Sequence, residues 1–157
     1  MSRHAIIAAA ARGRLPAWAR FSASRYAHMQ RVAELLGTWA EQFGLPEHEV
    51  ERWRAVGYLH DALKGVDAEE LRDELGTAAE GLPDPVLHGP AAARRLAAEG
   101  IDDEALLRAI AGHTLGDAEF DRLGCCLYAA DFLEPGRNLR NEWRAGLRAR
   151  MPEDWPE

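Results

Sequence analysis

Apolar residues recur at three- and four-residue steps along nearly the whole chain, and no stretch alternates apolar with polar in the period of two that a half-buried strand requires. No segment repeats at a fixed spacing either. A chain patterned this way can bury its apolar side only by packing helix on helix, so the expected fold class is all-α, a helical bundle. At 157 residues it suits one domain, able to bury roughly two thirds of its unfolded surface.

Capping signals divide the pattern into segments. Ser22 or Ser24 starts a helix carrying Tyr26, Met29, Val32, Leu36, Trp39, Ala40 and Phe43 on its apolar side, ended by Gly44 with Pro46 beyond. Pro46, Glu47 and Glu49 open a second helix, with Val50, Trp53, Val56 and Leu63 on the buried side and Gly65 as its stop. His60 and Asp61 are then expected in its last turns. Asp67 followed by Glu70 resembles a capping box for a short helix to about Leu75, and a loop rich in Gly and Pro comes next. One helix is expected over 90–99, and another from Asp102 or Asp103 toward His113. A last one, capped by Asp117, runs through Leu123, Leu127 and Asp131 to the stop at Pro135.

The polar residues inside this apolar pattern carry the chemistry. In Val56-Gly57-Tyr58-Leu59-His60-Asp61-Ala62-Leu63, an imidazole and a carboxylate sit side by side in a run otherwise suited to burial. A buried carboxylate needs a compensating charge, and a cation is the simplest one. His28, His88, His113 and Asp131 recur up- and downstream at intervals of a helix or two, on or near expected helix ends. Asp131 as a core-facing acid would be costly unless paired. His4 and His48 fit no such pattern and read as surface residues.

Charge and composition exclude several classes. The formal net charge is −7, which argues against non-specific nucleic-acid binding, although residues 1–33 hold six arginines and no acid. Arg137, Arg140, Arg144 and Arg148 repeat at helical steps and read as a solvated face. Cys125 and Cys126 are adjacent, forming neither a disulfide framework nor a CxxC motif, and read as small core residues. Ala5 to Ala11 is too short to span a membrane and lacks a signal-peptide cleavage pattern, so a soluble, cytoplasmic protein with no membrane partner is expected.

Five segments together resemble a known family. They are Arg25-Tyr26-Ala27-His28, Leu59-His60-Asp61-Ala62-Leu63-Lys64, His88-Gly89, Ala109-Ile110-Ala111-Gly112-His113-Thr114-Leu115-Gly116, and Tyr128-Ala129-Ala130-Asp131-Phe132-Leu133-Glu134-Pro135-Gly136-Arg137. The order His, His-Asp, Asp is similar to that of the HD-domain metal phosphohydrolases. The acid followed by Glu-Pro-x-Arg narrows the resemblance to the YqeK-type symmetrical diadenosine tetraphosphate hydrolases of bacteria. The resemblance implies that His28, His60, Asp61 and Asp131 bind a first metal, with Asp61 bridging to a second held by His88 and His113. Imidazoles and carboxylates facing hard phosphate oxygens suit a divalent ion such as iron or, as the alternative, manganese.

The implied reaction is attack of a metal-bound hydroxide on a phosphoanhydride of diadenosine tetraphosphate, giving two ADP. Cations near the metals are expected, and Lys64 and Arg137 are the candidates. Lys64 stands out further as the only lysine beside eighteen arginines. Its compact ammonium suits a phosphate or a metal-bound water where a planar fork would not fit. Arg25 lies three residues before His28 and can pair with a ligand carboxylate or contact substrate, while Thr114 shapes the turn after His113 and can reach a phosphate. Trp18, Phe21, Trp39 and Trp53 fall at helical spacings, and core packing is expected for most.

The domain reading is an N-terminal extension over 1–20, an HD unit over 21–140, and an arginine-rich tail over 141–157 packing on or next to it. The two ends leave homodimerisation open. Other readings are an HD phosphohydrolase for a nucleoside mono- or triphosphate, a non-catalytic nucleotide-binding HD module, and a di-iron oxygenase on the same scaffold.

Overall fold

The computed structural model describes residues 4–136 and 141–153, among which there are eight α-helices and no strand. They are α1 (Ala5–Ala11), α2 (Ala23–Gln42), α3 (Glu47–Leu59), α4 (Ala68–Leu75), α5 (His88–Ala98), α6 (Glu104–Ala111), α7 (Arg122–Leu133) and α8 (Asn141–Arg150). Two short 3-10 turns, Gly76–Ala79 and Asp84–Val86, fill the Gly- and Pro-rich stretch. The all-α expectation holds.

Helix α2 is the central rod. Ser22 caps it by accepting from the Arg25 amide, and its apolar stripe of Met29, Val32, Leu36 and Trp39 is fully buried. It packs against α3 and α7, while α5 packs on α6 and α6 on α7. One core runs through these layers, with Trp39, Trp53, Leu59, Leu87, Leu106, Ile110 and Leu127 among its largest members.

Several boundaries differ from the sequence reading. The alanine-rich start forms α1, capped by His4, whose Nδ1 accepts from the Ile6 amide and whose Nε2 lies 3.0 Å from the Glu99 carbonyl. His4 is therefore a half-buried cap rather than a free surface residue, and Ile7, Ala10 and Ala11 belong to the core against α3. His48 is exposed, as expected. Helix α3 ends at Leu59 with His60 as its cap, so Asp61 lies beyond the helix in a series of turns. Asp67 caps α4 without the side-chain hydrogen bond of a capping box. Asp121, not Asp117, caps α7 by accepting from the Gly124 amide; Asp117 is used one turn earlier, accepting from the Glu119 amide.

The arginine stripe is also only partly solvated. Arg144 is 2% exposed and donates to the carbonyls of Phe132 and Glu134, and Arg148 donates to the Leu133 carbonyl at 2.6 Å. Helix α8 thus seals the carbonyl end of α7, whose last carbonyls have no partner within the helix. Arg137 and Arg140 lie outside the described residues. Cys126 is a core residue whose thiol is pushed up to about 12 by burial, and Cys125 is half-buried. No helix among the described residues is long and apolar enough to cross a membrane.

Candidate metal centre

Six side chains from five parts of the fold meet around one carboxylate. Helix α2 brings His28, the end of α3 brings His60 and Asp61, the first turn of α5 brings His88, the turn after α6 brings His113, and α7 brings Asp131. Two glycines permit the convergence. A Cβ on Gly57 would lie 2.4 Å from the Ala33 Cα, so only glycine lets α3 come this close to α2, which sets the His28 and His60 rings 5.5 Å apart. A Cβ on Gly89 would lie 2.8 Å from the Ile110 carbonyl oxygen, and that close approach of α5 to α6 leaves the His88 and His113 rings 4.9 Å apart.

The two oxygens of Asp61 face different groups. Oδ2 lies 3.5 Å from His28 Nε2 and 3.4 Å from His60 Nε2, and Asp131 Oδ1 completes that side, 2.8 Å and 3.6 Å from the same two nitrogens. Oδ1 lies 3.1 Å from His88 Nε2 and 3.3 Å from His113 Nε2. The result is two clusters that could each hold a metal ion, His28/His60/Asp61/Asp131 and Asp61/His88/His113, sharing Asp61.

The imidazoles are already set for a cation. His60 Nδ1 donates to the Gly57 carbonyl at 2.6 Å and His113 Nδ1 to the Ile110 carbonyl at 2.7 Å, which leaves the lone pair on Nε2 of each ring. His60 Nε2 is fully buried and has no hydrogen-bond partner, although two carboxylate oxygens lie just beyond reach. A lone pair facing two anions repels them unless positive charge sits between, supplied by a proton on Nε2 or by a metal ion in its place. On the other side, His88 Nε2 and His113 Nε2 stand 3.0 Å apart, again with a lone pair directed at its neighbour. The unpartnered His60 Nε2, and the His88 and His113 nitrogens beside Asp61 Oδ1, are what a divalent ion with nitrogen and oxygen ligands would satisfy.

Protonation follows the same charges. Burial pulls the His60 imidazole down, but Asp61, Asp131 and the Gly57 carbonyl outweigh it and push it up to about 9. Burial pushes Asp61 up, yet the surrounding imidazoles hold it well below the usual carboxylate range; Asp131 is held low in the same way by His28 and His60. His88 is lowered, chiefly by burial.

The remaining expected site residues fall as follows. Arg25 Nη1 pairs with Asp61 Oδ2 at 3.0 Å, and its side chain stays one third exposed. Lys64 is exposed one turn past His60, close enough for its charge to lower His88. Thr114 is exposed in the turn after His113. Arg137 lies outside the described residues. Trp39 and Trp53 are buried core as expected, Trp18 is half-buried and donates to Glu99, and Phe21 is exposed.

One residue of the site was missed. Glu134 is 1% exposed, its Oε1 lies 3.4 Å from His28 Nδ1, and its Oε2 accepts from Arg31 and from the Gly136 amide. Burial pushes this carboxyl up, but Arg31 and the Gly136 amide hold it below its ordinary value. The available signal was its place in the Glu-Pro-x-Arg segment, to which no role was attached.

This geometry defines a class. The family model "HD domain" matches residues 25–136, and the chain belongs to the HD domain family, whose members bind divalent metals. Among its relatives, the chain is 35% identical over 121 residues to a protein of Staphylococcus aureus named bis(5'-nucleosyl)-tetraphosphatase, symmetrical. Proteins of the same name from Halalkalibacterium halodurans and Bacillus subtilis are 30% and 31% identical over 121 residues. The first match takes in 73% of this chain and 61% of the relative, so the chain spans about three fifths of the length of the curated relatives it matches. A crystal structure from Clostridium acetobutylicum, described as a "predicted HD superfamily hydrolase involved in NAD metabolism", superposes with a TM-score of 0.70 at 30% identity, covering 85% of this chain and 72% of that one.

Proposed function

We propose that the chain is a metal-dependent phosphohydrolase that cuts diadenosine tetraphosphate symmetrically into two ADP. The observation that carries this reading is the shared carboxylate, Asp61, with one oxygen toward His28, His60 and Asp131 and the other toward His88 and His113. The name of the relatives from Staphylococcus aureus, Halalkalibacterium halodurans and Bacillus subtilis supports the substrate.

In this reading His28, His60, Asp61 and Asp131 hold one divalent ion, and Asp61, His88 and His113 a second. The donor set suits iron, with manganese as the alternative. Bound there, the metals would supply a water acidic enough to ionise near neutral pH and would neutralise charge on the phosphoryl oxygens. The protein's part is positioning and charge. Arg25 holds Asp61 from the solvent side, which keeps both of its oxygens aimed inward. Lys64, free of the constraints of a planar fork, reaches the phosphate chain, and Thr114 donates to a phosphoryl oxygen from the turn after His113. Arg137 is given the second cation's place through the resemblance of its segment. Residues 21–140 form the catalytic unit, acting in the cytoplasm on a soluble nucleotide.

The test is to load the protein anaerobically with ferrous ion, or with manganese, add diadenosine tetraphosphate and separate the products. ADP as sole product is expected. AMP with ATP would mean asymmetric cleavage and would refute the proposed placement. A second reading draws on the Clostridium acetobutylicum neighbour: a substrate from NAD metabolism, also two nucleosides joined through a phosphoanhydride. Turnover of such a dinucleotide in preference to diadenosine tetraphosphate would favour it.

A further inference from the structure

Five large apolar side chains are exposed among the described residues: Phe21, Leu115, Tyr128, Phe132 and Trp143. They are not scattered. Leu115 follows His113 by two residues. Tyr128 and Phe132 flank Asp131 on α7, and a spacing of four makes them neighbours on one helix face. The Tyr128 ring lies over Gly116, where a Cβ would come within 3.7 Å of it, while Phe132 carries the Arg144 guanidinium over its ring at 5.1 Å and meets Trp143 edge-on at 6.2 Å. Phe21 lies just before α2, the helix that carries His28. Its neighbour Arg20 is bound to the turns that carry Asp61 and Lys64, through Arg20 N to the Ala62 carbonyl at 2.8 Å and Gly65 N to the Arg20 carbonyl at 2.9 Å. The Phe21 ring stacks on Tyr26 at 5.6 Å and 30°.

Exposed large apolar side chains gathered together mark ligand or interaction sites, whereas single ones are ordinary. Here one group sits by the segments that carry His28, Asp61 and Lys64 and the other by those that carry His113 and Asp131, which suits a ligand that is polyanionic in the middle and flat and apolar at its ends. We propose that Phe21 with Tyr26, and Tyr128, are two base-stacking platforms that select a substrate bearing a nucleoside at both ends of its phosphate chain. The inference rests on the phosphohydrolase reading above and adds to it the residues that would recognise the bases. Stacking tolerates any base, because every base has a π-face, so the platforms select for the number of bases rather than for adenine.

The test uses the manganese-loaded full chain and three substrates: diadenosine tetraphosphate, adenosine 5'-tetraphosphate and inorganic tetraphosphate, with two, one and no bases. In the wild type kcat/KM is expected to fall with each base removed. Phe21→Leu and Tyr128→Leu keep apolar bulk and discard the flat face. Each should lower kcat/KM for diadenosine tetraphosphate about tenfold, the scale of one lost base–aromatic stack, mostly through KM, and should lower it much less for inorganic tetraphosphate. Equal losses on all three substrates, or none on any, would overturn the inference. If the wild type turns over none of them, the phosphohydrolase reading fails by itself, and calorimetry with ADP decides the platforms. Binding about tenfold weaker in both variants upholds them, and unchanged binding removes them. Sedimentation supplies the last outcome: if Tyr128→Leu turns a dimer into a monomer while discrimination among substrates is unchanged, the patch is a subunit interface and the inference is wrong.

Discussion

Replacing Glu134 by glutamine should weaken one metal position and spare the other. The carboxylate stands behind His28, with Oε1 3.4 Å from His28 Nδ1, while His28 Nε2 faces Asp131 Oδ1 at 2.8 Å. This is the arrangement in which an outer carboxylate fixes a ligating imidazole's tautomer and raises its basicity, and its loss typically costs 10- to 100-fold in metal affinity. A tenfold change corresponds to about 1.4 kcal/mol. Glutamine keeps the volume and one acceptor oxygen for Arg31 or the Gly136 amide, so little packing is lost. Arg31 is itself 35% exposed, and hydration compensates the lost charge partner there. The expected result is a first ion held roughly tenfold more weakly, a second ion at His88 and His113 held as before, and a metal-free thermal midpoint lowered by a few degrees at most. Metal titration against a competing chelator reads both affinities, and a melt in excess chelator reads the fold. Equal weakening of both ions together with a large drop in the metal-free midpoint would make Glu134 a structural residue. Unchanged affinities would refute the role altogether.

Three further outcomes follow from the geometry. Lys64→Ala should lower turnover about a hundredfold, the scale of losing one preorganised charge donor, while metal content measured by elemental analysis stays the same; metal loss in this variant would make the lysine structural. Gly89→Ala puts a Cβ 2.8 Å from the Ile110 carbonyl oxygen and 2.9 Å from that of Ala111, so α5 and α6 must part. A destabilisation of about 1–3 kcal/mol in urea unfolding is expected, with weaker binding of the second ion. Asp103→Asn keeps the cap on α6 but loses the charge that Arg52 grips at 2.6 Å and 2.9 Å. Although burial pushes Asp103 up, Arg52 and the Leu106 amide hold it below its ordinary value. A depressed carboxyl stabilises the fold fully above its unfolded pKa of about 4 and loses that contribution as pH falls through the folded value. The wild type's advantage over the variant should therefore be present at pH 7 and shrink below about pH 4; an advantage independent of pH would contradict it.

The six side chains that the structure brings together were legible because each is a polar residue interrupting a pattern that otherwise reads as buried. What the pattern lacked was their surroundings. Glu134 meets His28 and Arg31 across 106 and 103 residues of chain, and its Glu-Pro-x-Arg segment marks the residue without showing what it touches. Arg144 looked like one step in a solvated stripe, yet it closes the carbonyl end of α7 from outside the sequence window in which that helix is read. Helix α1 was hidden by its own composition, since seven residues of which five are alanine give almost no polar contrast from which to read a period. Asp117 and Asp121 are both good caps four residues apart, and the choice between them depends on Phe120, whose ring packs over Gly112 and Gly124 and draws the preceding residues into a turn.

The early end of α3 ties these differences to the chemistry. Helix α3 gives way at His60, which still donates to the Val56 carbonyl, to a series of turns in which Asp61 sets one oxygen 3.4 Å from His60 Nε2 while the other meets His88 and His113. Local bonds three residues apart close these turns, Ala62 N to the Leu59 carbonyl, Lys64 N to that of Asp61 and Val66 N to that of Leu63. Tertiary contacts add to them, Arg20 N to the Ala62 carbonyl, Gly65 N to the Arg20 carbonyl and Arg25 to the Asp61 carboxylate. The same anchoring brings the segment of Phe21 and Arg25 against the turn that carries Lys64. A boundary that sequence periodicity extended by a turn and a half is thus where Asp61 takes its place between the two candidate clusters, and a substitution restoring α-helix through 60–65 should weaken metal binding even with all six candidate ligands retained.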